Sequence, residues 1–177
     1  PSRSASAAFV GLIHAQRQTP SPQQAEAWLR RAEELGIANL TPVYNAVIQA
    51  CLNANNLSRA TQVFDAMDQA ESPCRPDGVS YSIVMGAYAQ QGSEREVELL
   101  SRRLLRSGVS AEAEGYATIV RVQARIGNFA AACKWLEEAW GSGVKLDVAA
   151  YHPVVLAMTK AGKADMAERL LHQLMQQ

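Results

Sequence analysis

Apolar residues recur along the chain with the spacing of two short amphipathic helices joined by a tight turn. Four residues spaced i, i+3, i+4 and i+7 are followed by a polar break and then by four more with the same spacing. These positions are Tyr44, Val47, Ile48, Cys51, Ala60, Val63, Phe64 and Met67. A single hairpin of this size cannot bury both of its apolar faces, so the pattern predicts copies stacked beside it.

The hairpin is repeated at a step of about 35 residues. Tyrosines open the first helices, small residues mark the second helices, and glycines occupy the turns. The markers are Tyr44, Tyr81, Tyr116 and Tyr151; Ala25, Ala60, Val97, Ala132 and Ala167; and Gly92, Gly127 and Gly162. Three independent registers agree, so we predict an all-α protein, an α-solenoid of about five helix-turn-helix repeats of 35 residues.

The periodicity divides the chain into five units of one solenoid domain. We predict an N-terminal tail at 1–5, a divergent repeat at 6–40, a repeat with two extra residues at 41–77, regular repeats at 78–112 and 113–147, and a shortened repeat at 148–177. First helices are expected near 10–19, 44–54, 81–91, 116–126 and 151–161. The tail has no acid and begins with Pro, as a trimmed organellar presequence would, so we expect the true start to be missing or removed.

Local signals mark several helix ends. Capping boxes are predicted at Ser21 and at Ser93, where Gln or Glu follows three residues later. Asn55 replaces the turn glycine of the other repeats, because asparagine tolerates the left-handed conformation. Pro153 is expected in the opening turn of a helix, where a missing amide costs little.

Charge gives no general argument for a nucleic-acid partner. Lys and Arg total 17 and Asp and Glu total 17, so the net charge is zero. The expected first helices nevertheless contain only basic charges, at Arg17, Arg121, Arg125 and Lys160. If these residues contact phosphates, affinity for a single strand should fall about 50-fold between roughly 50 and 200 mM salt.

The cysteines and the hydropathy of the sequence indicate the compartment of the protein and whether it spans a membrane. Cys51, Cys74 and Cys133 form no C-x-x-C pair, and we interpret Cys51 and Cys133 as reduced thiols in or near the core. This usage favours a reducing compartment. The sequence has no run of about 18 apolar residues, so we expect no membrane span.

The whole chain resembles a pentatricopeptide repeat array. The resemblance lies in the 35-residue step, the Tyr-x-x-Val/Ile opening of the first helices, the turn glycines and the Pro76-Asp77 ending of one repeat. A tetratricopeptide array, the alternative, would have a step of about 34, a Trp at the head of the first helix and a proline at the end of every unit. The resemblance implies a right-handed superhelix whose first helices line a groove that binds single-stranded RNA, one base per repeat.

The resemblance also implies which side chains read the bases. A recognition pair consists of the residue after the tyrosine and the last residue of the repeat; here the pairs are Val10/Leu40, Asn45/Asp77, Ser82/Glu112, Ala117/Asp147 and an unpartnered His152. Only Asn45/Asp77 is a pair that the family uses routinely, and it resembles pairs that favour uridine. The positions that would sandwich bases are Ala7, Pro42, Val79, Glu114 and Ala149. Pro42 and Val79 suit that role, whereas Glu114 would repel phosphate.

Signals of catalysis are missing from the sequence. The three histidines lie in different units with no cysteine companions, and no nucleophile motif, phosphate loop or zinc-deaminase pattern occurs. We therefore expect no catalytic residue, no metal and no cofactor. The repeated tyrosines are interpreted as packing residues, as are Trp28 and Trp135 in the second helices.

Two functions remain open at this point. The first is a non-catalytic RNA-binding module of mitochondria or chloroplasts with weak base specificity, binding through Asn45, Asp77, Pro42, Val79, Ser82, Glu112, Ala117, Asp147, His152, Arg121, Arg125 and Lys160. The alternative is a protein-interaction scaffold, or a structural subunit of a large assembly such as an organellar ribosome. Degenerate recognition pairs and zero net charge favour this alternative.

Overall fold

The computed structural model describes residues 2–15, 21–69, 74–108 and 112–175, which form ten α-helices and no strand. The helices are α1 Ser2–Ala15, α2 Pro22–Glu34, α3 Thr41–Asn53, α4 Leu57–Met67, α5 Gly78–Gln90, α6 Glu94–Ser107, α7 Glu112–Arg125, α8 Phe129–Gly141, α9 Val148–Lys160 and α10 Ala164–Leu174. Odd-numbered helices are the first helices of successive hairpins and even-numbered ones the second. The predicted all-α hairpin architecture is thus confirmed, whereas the exact repeat boundaries stay a prediction.

The chain divides into two compact units, residues 1–88 and 89–177. In the first unit α1 packs against α2 and α3, and α3 also packs against α2 and α4. In the second unit α7 packs against α6, α8 and α9, and α9 also packs against α10. In both units neighbouring first helices lie against each other, which is the stacking that a repeat array needs to bury its apolar faces.

The core of the first unit is built from the predicted apolar positions of α3 and α4. All eight positions of the periodic pattern are buried, and Ile48, Cys51 and Met67 are completely inaccessible to solvent. Phe64, 1% exposed, packs edge-on against Tyr81 of α5 with ring centroids 5.1 Å apart. The periodic pattern therefore identified the core residues of this hairpin correctly.

Aromatic residues organise the second unit in a similar way. Trp135 of α8 is 2% exposed and packs against the ring of Tyr116, with centroids 6.1 Å apart. The interpretation of the tyrosines as packing residues is confirmed for Tyr44, Tyr81 and Tyr116, which are buried, whereas Tyr151 is half-buried. Trp28, expected in the core, is only half-buried.

Bidentate ion pairs link second helices of consecutive hairpins. In the first unit Arg59 of α4 donates to both carboxylate oxygens of Glu26 on α2, at 2.6 and 2.7 Å. In the second unit Arg102 of α6 contacts both carboxylate oxygens of Glu138 on α8. The Arg102 guanidinium also lies 4.3 Å from the ring centroid of Trp135. Within each unit, second helices are therefore joined by a planar arginine side chain, whose geometry suits carboxylates and aromatic faces.

Most of the predicted turn signals are confirmed. Asn55 has a φ of 56°, the only positive φ of a residue other than glycine in the described part of the chain. The Ser21 side chain accepts a hydrogen bond from the Gln24 amide at 3.4 Å, and α2 begins with Pro22. The prediction for Ser93 is wrong in one respect: Ser93 precedes α6, but its side chain makes no capping hydrogen bond.

The predicted starts of the first helices are too late. The helices α3, α5 and α9 begin three residues before their tyrosines, and α7 begins four residues before Tyr116. The error arises because the opening turn of a helix contributes little to the apolar stripe, so a periodic pattern detects only the following turns. Helix α1 likewise begins at Ser2, so residues 2–5, expected as a tail, are helical.

This shift corrects two further predictions. Glu112 and Glu114 lie in the first turn of α7, so the first helices are not free of acidic residues as expected. Pro153 is the sixth residue of α9 rather than part of its opening turn. Since proline has no amide hydrogen, it cannot donate to the carbonyl four residues earlier, and that helical hydrogen bond is missing. Arg17 lies outside the described residues, as do residues 70–73 of the repeat predicted to carry two extra residues.

The cysteines behave as the sequence suggested. Cys51 is buried, and desolvation raises the pKa of its thiol to about 11. Cys133 is half-buried, and burial raises the pKa of its thiol as well. Both thiols are therefore protonated at neutral pH. Within the described ranges, no helix combines the length and apolar character that a membrane crossing requires.

Candidate nucleic-acid interface

Three polar side chains meet where α3 lies beside the start of α5. The Asn45 amide nitrogen donates to Asp77 Oδ1 at 3.2 Å, and the Ser80 hydroxyl lies 2.6 Å from Asn45 Oδ1. Asn45 and Asp77 are half-buried, whereas Ser80 is completely buried. We call these residues the Asn45 cluster. Its exposed side consists of one amide and one carboxylate held next to each other.

The start of α5 positions two members of the Asn45 cluster. Asp77 precedes the first residue of α5, and its Oδ1 accepts the Ser80 amide hydrogen at 2.8 Å. In return Ser80 Oγ accepts the Asp77 amide hydrogen at 3.1 Å. This reciprocal arrangement is a capping box, which satisfies amides that have no partner inside the helix. Asp77 is therefore both a helix cap and a neighbour of Asn45.

Part of the hydrogen-bonding capacity of the Asn45 cluster is unused. An asparagine side chain carries two amide hydrogens, and a carboxylate has two oxygens. The hydrogen bonds within the cluster occupy one hydrogen of Asn45 and only the Oδ1 atom of Asp77. Within the described residues, the other Asn45 hydrogen and Asp77 Oδ2 remain available. The cluster can therefore offer one donor and one acceptor, side by side, to a ligand.

Two apolar residues predicted to flank a base are accessible. Pro42 is the second residue of α3 and is exposed, and Val79 is the second residue of α5 and is 57% exposed. Both lie on first helices of the same unit as the Asn45 cluster. Exposed apolar surfaces of this kind can pack against the flat faces of bases.

The other predicted recognition pairs lack the combination of an amide with a carboxylate. Leu40 is buried at the start of α3, 4% exposed, so it cannot contact a base. Asp147 caps α9 by accepting the Ala150 amide at 3.2 Å, but its predicted partner Ala117 has no polar side chain. Ser82 is half-buried on α5, Glu112 is the first residue of α7, and His152 is exposed on α9.

Three predicted basic residues lie on first helices of the second unit. Arg121 and Arg125 are exposed on α7, and Lys160 is exposed at the end of α9, which packs against α7. Arg125 and Lys160 each follow the tyrosine of their helix by nine residues, so they occupy equivalent positions. Arg121 donates to the hydroxyl of Thr118 at 3.1 Å. We call these three residues the basic row.

Ser80 is the component of the site that the sequence interpretation missed. A signal was present, because Asp77 followed three residues later by Ser80 has the spacing of a capping box. The contact of Ser80 with Asn45, 35 residues earlier, follows only from the packing of α5 beside α3. Among the described residues, no group of three or more His, Cys, Asp or Glu side chains could hold a metal ion.

Comparison with family models identifies the repeats. The described helices define a solenoid-class protein built from helical hairpins. The model described as "PPR repeat family" matches residues 41–90, and the model described as "PPR repeat" matches residues 79–109. Residues 41–109 of the chain therefore consist of pentatricopeptide repeats.

The chain is similar to several plant proteins of this family. It is 24% identical over 152 residues to the Arabidopsis thaliana small ribosomal subunit protein mL103 (rPPR7), covering 86% of this chain and 37% of the ribosomal protein. It spans only 19% of a second Arabidopsis pentatricopeptide repeat-containing protein. Other relatives are named as mitochondrial or chloroplastic pentatricopeptide repeat-containing proteins. The chain thus corresponds to a minor part of the length of these relatives.

Solved structures share the fold. Maize pentatricopeptide repeat protein PPR10 in complex with an 18-nucleotide psaJ RNA element aligns with a TM-score of 0.64 and 18% identity, covering 90% of this chain and 23% of PPR10. The PPR domain of Arabidopsis thaliana protein-only RNase P 1, in complex with tRNA, aligns with a TM-score of 0.55 and 15% identity, covering 95% of this chain and 88% of that domain. These matches confirm the predicted all-α solenoid class.

Proposed function

We propose that this chain is a non-catalytic RNA-binding module that holds single-stranded RNA along its first helices with weak base specificity. The observation that carries the proposal is the hydrogen bond of 3.2 Å between Asn45 and Asp77. Along the Watson–Crick edge of uracil, an N–H donor stands between two carbonyl acceptors. The unused amide hydrogen and carboxylate oxygen of the Asn45 cluster provide the complementary donor and acceptor.

The remaining predicted residues divide into three roles in this proposal. Pro42 and Val79 pack against the faces of a base, and the basic row contacts phosphates. Ser82/Glu112, Ala117/Asp147 and His152 supply weak or no base discrimination, because none combines an amide with a carboxylate. Leu40 does not contact a base in this proposal, since its side chain is buried. One specific pair among five repeats makes the overall preference weak.

The comparisons support RNA as the ligand and an organelle as the location. The maize and Arabidopsis solenoids with this fold are in complex with RNA, the psaJ element and tRNA respectively. Relatives named as mitochondrial or chloroplastic favour one of these two organelles. RNase P is an enzyme, but the likeness is to its PPR domain, so we assign no catalysis to this chain.

Binding of labelled oligo(U), oligo(C) and oligo(A) tests the proposal directly. We expect oligo(U) to bind most tightly, and Asn45→Ala to abolish this preference while leaving weak binding to all three. Gln62→Ala is the matched control, because it removes an exposed amide from the second helix α4. Absence of salt-sensitive binding to any single strand would overturn the proposal.

A second function is favoured by one specific observation. The likeness to mL103 extends over 86% of this chain, and that protein is named as a ribosomal subunit protein. The same surfaces would then contact structured RNA or protein within an organellar ribosome. Co-sedimentation with the small ribosomal subunit from organelle extract would support this function, whereas a free RNA-competent monomer would favour the first.

A further inference from the structure

Ser80 is a completely buried hydroxyl in direct contact with a side chain proposed to read a base. Its Oγ lies 2.6 Å from Asn45 Oδ1 and 2.9 Å from Asp77 Oδ1. A serine hydroxyl has one hydrogen to donate. Asp77 Oδ1 already accepts the Ser80 amide and the Asn45 side chain, whereas Asn45 Oδ1 has no other donor in the described residues. The shorter contact, to Asn45, therefore takes the hydroxyl hydrogen.

This contact determines which end of the Asn45 amide faces the ligand. With its oxygen bound to Ser80, Asn45 directs its nitrogen toward Asp77 and keeps one amide hydrogen available. In the flipped orientation the amide oxygen would face the Asp77 carboxylate, and the site would present two acceptors. The orientation of an asparagine amide is set by its hydrogen-bond network. Ser80 and Asp77 hold the same orientation from two sides.

A hydroxyl at this position is specific to one repeat. Ser80 immediately precedes Tyr81, and the residues that precede the equivalent tyrosines are Val43, Gly115 and Ala150. All three are buried and none has a polar side chain. Helix packing alone therefore does not require a hydroxyl there. The serine coincides with the one repeat junction that has an asparagine and an aspartate at the paired positions.

We infer that Ser80 is a positioning residue that fixes the Asn45 amide as a donor and thereby sets the preference of this repeat for uridine over cytidine. The inference rests on the proposed function. Cytosine presents an N–H donor and an unprotonated N3 where uracil presents a carbonyl and an N3 hydrogen. A fixed Asn45 donor beside an Asp77 acceptor matches uracil, whereas a freely rotating amide tolerates both bases.

Threonine and valine at position 80 give a matched test, because they differ only in a hydroxyl in place of a methyl group. A β-branched residue, Val43, is completely buried at the equivalent position of the preceding repeat. Each variant keeps the backbone amide hydrogen that Asp77 Oδ1 accepts, whereas only threonine keeps the hydroxyl oxygen that accepts the Asp77 amide hydrogen. The measured quantity is the ratio of oligo(C) to oligo(U) dissociation constants at one salt concentration.

We expect Ser80→Thr to keep the wild-type ratio and Ser80→Val to lower it about fivefold, the size of one ordinary net hydrogen bond. Affinity for oligo(A) should be the same in both variants. Ser101→Ala is the control: Ser101 is equally buried, but its hydroxyl donates to the Val97 carbonyl of its own helix at 2.8 Å. If the valine variant does not fold, the same ratio of dissociation constants is measured for Ser80→Ala, which also lacks the hydroxyl, and the same fivefold fall is expected.

The outcomes separate this inference from the proposed function. An unchanged ratio in Ser80→Val, with uridine preference still lost in Asn45→Ala, would overturn the role of Ser80 and leave the function standing. A wild-type protein that binds no single strand, or binds without Asn45-dependent preference, would overturn both. If the ratio falls equally in the threonine and valine variants, Ser80 acts only through its packing, and its role in orienting the Asn45 amide is rejected.

Discussion

The junction between α3 and α5 and the junction between α7 and α9 place different side chains at the same positions. In the first unit the positions hold Asn45, Asp77 and Ser80, and the three side chains are hydrogen-bonded to one another. In the second unit Asp147 still caps its helix, but the other two positions hold alanine. The aspartate therefore caps a helix at both junctions, and only the first junction adds an amide and a hydroxyl beside it.

The two junctions also differ in charge, and here the second junction carries the additional groups. Helices α3 and α5 contain no charged residue, whereas α7 and α9 carry the basic row. Glu112 and Glu114 offset part of that charge at the other end of α7. In the proposed function, this difference assigns base recognition to the first unit and phosphate binding to the second. Each task can then be removed without the other.

The largest expected effect comes from removing the core beneath the first junction. Phe64→Ala should lower the free energy of unfolding by about 3–5 kcal/mol, because it leaves a cavity against Tyr81 of α5. Uridine preference should be lost with the packing of α5. Urea unfolding followed by circular dichroism measures the change. Leu99→Ala, at a 60% exposed site on α6, should have little effect. A variant as stable as wild type would mean that the α4 register is wrong.

The next effect concerns the basic row. Replacing Arg121, Arg125 and Lys160 together by glutamine should make the log–log salt slope of oligo(U) binding shallower by about 2, at roughly 0.7 per phosphate contact. The ratio of oligo(C) to oligo(U) dissociation constants should not change, because the Asn45 cluster is intact.

The control for the basic row removes the same net charge from second helices. It replaces Arg30, Arg95 and Lys134, which are exposed on α2, α6 and α8, by glutamine. We expect this variant to keep the wild-type slope. Equal slopes in the two triple variants would show that net charge, rather than the position of the charges, governs binding.

A smaller effect should follow from rebuilding the first junction in the second unit. Ala117→Asn together with Ala150→Ser places the amide and the hydroxyl beside the existing Asp147 cap. We expect oligo(U) affinity to rise about fivefold without a change in salt slope. Ala117→Asn alone should raise oligo(U) affinity by a smaller factor, because its amide would not be held in one orientation. Equal gains in the single and double variants would argue against the need for the hydroxyl.

The core was predicted well because the residues that pack in it are apolar and recur with the helical period. All eight periodic positions between Tyr44 and Met67 are buried, and the left-handed turn at Asn55 follows from residue chemistry. Helix starts were predicted too late because the first turn needs no apolar residue. As a result, Glu114 was placed before α7 and not in its first turn. The position of Pro153 inside α9 was missed for the same reason.

The site was predictable only in part. The resemblance supplied Asn45 and Asp77, which the structure places 3.2 Å apart. It did not supply Ser80, because contacts between residues of neighbouring repeats depend on how helices stack and leave no short-range pattern.

The smallest expected effect concerns the ion pair between Glu26 and Arg59 on the second helices. The hydrogen bond from Arg59 is the main cause that holds the pKa of Glu26 below its ordinary value. A carboxylate with a lowered pKa contributes stability above its unfolded pKa, and that contribution is lost as the pH falls through the folded pKa. Glu26→Gln should therefore lower Tm by about 1 °C at pH 7, since a partly exposed pair contributes little.

The difference in Tm between wild type and Glu26→Gln should disappear in acid, below the folded pKa of Glu26, where the wild-type carboxyl is itself neutral. Thermal unfolding at a series of pH values from neutral to acid measures this trend. A cycle with Arg59→Gln isolates the pair, because adding Glu26→Gln to that variant should have almost no further effect. A Tm difference that persists unchanged in acid would assign the loss to packing around Glu26, and the ion pair would then contribute nothing to the first unit.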